Sequence, residues 1–84
     1  MCTLAAYIGS EPAAPRLLDL LAREEGWAGA YYTGLATVHE GKLHLRKVVG
    51  DLATLLRETD ARELPGTIGI AHSQIGRASG RERV

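Results

Sequence analysis

The chain carries a single cysteine, at position 2, directly behind the start methionine in "MCTLAAYIG". Removal of Met1 ahead of so small a residue leaves Cys2 with a thiol and a free α-amine on one residue. An α-amine has an unperturbed pKa of about 7.7–8.0, so near neutral pH it can take the thiol proton without help from a separate histidine. Cys2 is therefore the candidate nucleophile, with its own amine as base. The other reading is a small non-enzymatic α/β domain in which Cys2 packs as a small apolar group at a strand start. A lone cysteine forms no internal disulfide and has no C-x-x-C companion, which points to a reducing, cytoplasmic setting.

The three histidines come next. His39 and His44 fall on one polar face near a hairpin tip, but no Cys, Asp or Glu completes a tetrahedral set around them, so no metal site is expected. His72 ends an apolar run, "GTIGIAHS", where a side chain at a sheet edge can enter a pocket or simply close a strand. Gly26, Gly29 and Gly34 lack the G-x-x-x-x-G-K-[ST] spacing of a phosphate loop. Trp27, Tyr31 and Tyr32 have no basic interleaving, so they read as strand residues, one tyrosine inward and one outward, and not as a base-stacking platform.

These residues need elements to hold them. Residues 2–8 read as a short buried strand closed by Gly9-Ser10. A helix follows, with Ser10 as N-cap, Pro12 and Pro15 in its first turn, Leu17, Leu18 and Leu21 as inner stripe widened by Leu20, and Gly26 as C-cap. Arg16, Asp19 and Arg23 face water. "GAYYTGLATVHEGKLHLRKVVG" reads as a hairpin turning at Glu40-Gly41, with Thr37 opposite His44 and Ala36 opposite Leu45. Alternation then puts Ala36, Val38, Leu43 and Leu45 on one face, expected to be buried, and Thr37, His39, Lys42, His44 and Arg46 on the other. "GDLATLLRETDARELPG" reads as a second helix capped by Asp51, with Leu52, Leu55 and Leu56 inside and Pro65-Gly66 at its exit. A central strand with Ile68 and Ile70 on one side completes an α+β order of β-α-β-β-α-β.

Bulk properties fit one small domain. The chain has 84 residues, 45% apolar and 24% charged, with a formal net charge of zero. Zero net charge removes the first attraction for nucleic acid or an anionic membrane, and Glu11 and Pro12 break the opening apolar run too early for a signal or membrane span. No cofactor is implied.

Together, "MC-x-L-A-A-Y-I-G", "G-A-Y-Y-T-G-L-A" and "L-P-G-T-I-G-I-A-H-S" resemble the class II glutamine amidotransferases, and within them the glutaminase domains of the glutamine–fructose-6-phosphate aminotransferases. The resemblance runs from residue 1 to about Ser73. It implies part of an αββα N-terminal-nucleophile hydrolase sandwich. It also implies attack by Cys2 on the side-chain amide of L-glutamine, a γ-glutamyl thioester, and ammonia passed to an acceptor, a sugar phosphate in these relatives, bound by a domain that lies elsewhere. His72 and Ser73 match the family's A-H-T/S segment, which enters the glutamine pocket. Three positions depart from the pattern: Thr3 replaces a glycine, Tyr31 and Tyr32 replace an acidic and a hydroxyl residue, and Gln74 replaces an arginine that clamps the substrate carboxylate.

The remainder, "QIGRASGRERV", has no apolar period and resembles the translation of a sequencing-library adapter. Residues 1–73 are thus expected to be the N-terminal part of a type-2 glutaminase domain, and residues 74–84 a solvated tail foreign to the family. The oxyanion donors of relatives lie on a later Asn-Gly segment. Loss of even one such donor costs roughly 10²–10³ in rate, so the fragment by itself is expected to be nearly inert.

Overall fold

A computed structural model describes residues 2–25 and 30–75. Met1, the expected C-cap Gly26, Trp27, Gly29 and the tail from residue 76 lie outside the described residues. The elements are β1 (Cys2–Ile8), α1 (Ala13–Glu25), β2 (Ala30–His39), β3 (Lys42–Val49), α2 (Leu52–Glu58), a 3-10 turn (Ala61–Glu63) and β4 (Ile68–Ile75). Their order is the expected β-α-β-β-α-β, and the class is α+β.

The four strands form one antiparallel sheet in the order β1-β4-β2-β3. The last strand lies between the first two. The hairpin register agrees with the sequence reading, with Thr37 paired to His44 and Ala36 to Leu45. Its turn holds Glu40 and Gly41 at φ of 53° and 78°, the pair of positive values that suits the right-handed twist of a two-residue hairpin.

Which face of the sheet is covered differs from expectation. Leu17, Leu18 and Leu21 of α1, with Leu52 and Leu55 of α2, pack onto the face that carries Leu35, Thr33, Thr37, Ala71 and Ser73, all of them buried. The face with Val38, Leu43 and Leu45 is open to solvent. Strand β1 is likewise half-exposed and not buried throughout, with Leu4 and Ile8 pointing outward. The cause lies in side-chain size. Small residues make a flat bed on which a leucine stripe can settle, and Gly69 lets it come close: a Cβ there would lie 2.9 Å from Leu17 Cδ1 and 2.6 Å from the Ala36 carbonyl oxygen. The branched residues opposite stand too tall for such contact.

Helix boundaries show further corrections. The first helix starts at Ala13, three residues beyond Ser10, and the Ala13 N–H donates to the Gly66 carbonyl at 2.9 Å. A loop carbonyl thus takes the place of the expected serine cap, and Pro12 falls just outside the helix while Pro15 sits in its first turn. Leu20 is exposed and does not widen the stripe. Asp51 caps α2 as expected, accepting from Thr54 N–H at 2.9 Å and from its hydroxyl at 2.8 Å. That helix stops early, however. Thr59 is extended and its hydroxyl donates to the Leu55 carbonyl at 2.7 Å, while Asp60 is drawn to Arg46 on β3 at 2.6 Å. The Arg46 hydrogen bond holds the Asp60 carboxyl below the usual carboxylate range.

Strand β4 also runs through Gln74 and Ile75, beyond the boundary expected at Ser73. Gln74 pairs with Cys2 on one side and Tyr32 on the other. Two neighbouring strands impose an extended conformation that local sequence does not announce.

Candidate functional site

The register arranges the open face into rows. Cys2, Gln74, Tyr32 and Val49 form the row at one end, and Leu4, His72, Gly34 and Lys47 form the next. Cys2 heads an edge strand and its free thiol is exposed. His72 is its diagonal neighbour across the β1–β4 pair, at roughly 7–8 Å between such positions. That spacing is too long for a thiol–imidazole hydrogen bond and leaves room for a substrate group between them. The row of Cys2 is completed by Tyr32, whose ring meets that of Tyr31 edge-on at 4.6 Å and 66°.

His72 is half-buried in a cavity of about 160 Å³ whose lining includes Leu4, Gly34, Leu45, Lys47 and Ile70. Small-molecule sites usually span about 300–1,000 Å³, so this one suits an amino-acid side chain better than a cofactor. Gly34 makes the cavity possible, since a Cβ there would press to 3.4 Å from both His72 Nε2 and Lys47 Cγ. Burial first, and the Lys47 cation second, hold the His72 imidazole below its ordinary value and favour its neutral form. A neutral imidazole keeps one nitrogen free as an acceptor.

Ser73 does not join this group. Adjacent strand residues point to opposite faces, and Ser73 lies on the helix-covered side, 2% exposed, with its hydroxyl unpartnered within the protein. Sequence reasoning also passed over Lys47 and Gly34. The signal was present: Leu43, Leu45 and Lys47 alternate along β3, and the lysine interrupts an otherwise apolar series. His39 and His44 share the other face of the hairpin, and no group of three or more His, Cys, Asp or Glu side chains converges among the described residues. A wider, open depression of about 600 Å³, bordered by Ser10, Pro12, His39 and Gly66, lies at the far end of the strands from Cys2. No helix among the described residues is long and apolar enough to cross a membrane.

No protein-family model matches the chain. Curated relatives do. The chain is 38% identical over 74 residues to "Glutamine--fructose-6-phosphate aminotransferase [isomerizing]" of Rhizobium leguminosarum bv. viciae, a match covering 88% of this chain. Proteins of the same name from Pyrococcus horikoshii and Zymomonas mobilis subsp. mobilis are 36% and 40% identical over the same span. In each case the match covers 12% of the relative, so the chain spans about an eighth of the length of these enzymes.

Proposed function

Because the chain is related over most of its length to the glutamine–fructose-6-phosphate aminotransferases, we propose that it is the nucleophile-bearing part of a glutamine-hydrolysing domain. The observation that carries this reading is the placement of Cys2: an exposed thiol at the end of a hydrogen-bonded strand, on the same open face as the His72 cavity. With Met1 removed, the Cys2 α-amine takes the thiol proton and the thiolate attacks the side-chain carbonyl carbon of L-glutamine. A tetrahedral intermediate forms. The amine returns its proton to the leaving nitrogen, the C–N bond breaks, and ammonia departs from a γ-glutamyl thioester. Water activated by the same amine then adds to the thioester and releases glutamate and the thiol.

The spacing between Cys2 and His72 supports the amine as base over the imidazole, since the ring is out of direct reach of the sulfur. His72, held neutral, lines the pocket beside the substrate amide. Ser73 contributes by seating β4 from beneath and makes no substrate contact. The open apolar face is the inner surface of an αββα sandwich, whose second sheet belongs to sequence that in the relatives follows this segment. The ammonia acceptor, bound outside this segment, is a sugar phosphate. The native reading frame departs from this sequence near residue 74, and the isolated fragment turns glutamine over at a rate close to nil.

A glutamine-like diazo-ketone and intact-mass measurement test the reading. The expected result is loss of Met1 and addition of one label, abolished by Cys2→Ala. A chain that retains Met1, or that labels equally after Cys2→Ala, overturns it. In a version extended by the native downstream sequence, Cys2→Ala should reduce glutamine hydrolysis to background.

A further inference from the structure

We propose that the 84-residue chain pairs with a second copy of itself, open sheet face against open sheet face. Among the described residues nine large apolar side chains are exposed, and all but Leu20 stand on this one face. Leu4 and Ile8 of β1 are 77% and 80% exposed, and Leu43 of β3 is 68% exposed. Isolated exposed leucines are ordinary, but a contiguous sheet face of them is an interaction surface.

The area fits a copy. Four strands about 4.8 Å apart and about seven residues long give a footprint of roughly 400 Å². Two such faces with side chains standing proud bury on the order of 1,000 Å² together, the lower bound for a specific interface. The charge pattern fits as well. Lys47 is the one charged side chain on the face among the described residues, and it stands on the edge strand β3, where it can reach the rim. A charged partner has nothing to pair with across the remainder, whereas an equally flat and apolar surface does. Sheets pack face to face with strands within about 30° of parallel, and both helices of each copy lie on the far side, so nothing obstructs the approach. Pairing through the sheet edges would leave the apolar face in water and so does not compete as an explanation of it.

Sedimentation velocity on the full chain between ~1 and ~100 µM tests this, with circular dichroism to follow the fold. The expected result is a doubling of mass toward the upper concentration. Ile70→Glu, at the centre of the face, shifts the dimer to monomer by at least tenfold in dissociation constant. Leu45→Lys, on the edge strand, does the same and provides the reading where the central charge costs the fold. Leu20→Glu, on the outer side of α1, leaves the mass unchanged. The proposal is overturned by a wild-type chain that stays monomeric at ~100 µM, folded or not. It is equally overturned by a dimer indifferent to both charges, or by a monomer that instead forms a one-to-one complex with the separately produced remainder of a relative's N-terminal domain. None of these variants alters Cys2, so failure of the thiol chemistry and failure of this association are read separately.

Discussion

The sheet has one face built for helices and one built for something flat. On the first, Gly69, Ala71, Ser73, Thr33 and Thr37 keep the surface low, and five leucines from two helices settle on it. On the second, large side chains on all four strands stand up with no cover among the described residues. The buried face is the more polar in composition, and the solvated one the more apolar. Hydrophobicity alone therefore does not decide which side a helix covers. Close approach does, because dispersion and water exclusion both depend on contact at short range.

Substitutions can break this contrast, beginning with the strongest. Leu17→Ala removes a fully buried side chain from the helix-covered face and should cost about 2–5 kcal/mol in urea unfolding. The matched change on the open face, Leu43→Ala, should cost under about 0.5 kcal/mol in dilute solution. Gly69→Ala tests the flatness argument directly. Its new methyl meets Leu17 and the Ala36 carbonyl at under 3 Å, and a loss of about 1–3 kcal/mol is expected.

Two smaller effects sharpen the comparison. Glu40 holds φ of 53° at the hairpin turn, a conformation costly to a side chain with a Cβ and cheaper for asparagine. Glu40→Asn should raise stability by about 1 kcal/mol in thermal or urea melts, without altering either face. The weakest effect is a pH dependence. The folded chain holds the His72 imidazole below its ordinary value, so between the two values the unfolded chain binds the proton more readily. Stability should therefore be fully present above about pH 6.5 and decline as pH falls below it. Replacement by asparagine should flatten that decline in urea midpoints measured between about pH 5 and 7.5.

What could be read from the residues follows the range of the forces involved. The hairpin register, the leucine stripe of α1 and the Asp51 cap depend on neighbours within a few positions, and each was legible. The end of α2 was not, because Asp60 is pulled out by Arg46, fourteen positions away in sequence. Nor was the start of α1, whose first N–H finds the distant Gly66 carbonyl. The same limit applies to the site. Cys2 and His72 could each be singled out by type and position, but their sharing of a face, and the turning away of Ser73, required the β1–β4 register. Lys47 was legible as a break in alternation and was overlooked because it was weighed as part of a hairpin and not as a neighbour of β4.

Strand β1 hydrogen-bonds to β4 and to no other strand, and β4 is the last to leave the ribosome. With synthesis at about 5–20 residues per second, the first segment waits several seconds for its mate. Until then only the hairpin can close locally, and the amino end trails free for the methionine-removing machinery to reach. Anchoring the thiol is consequently the final act of folding and not its beginning, which gives processing a clear interval before the sulfur is fixed in place.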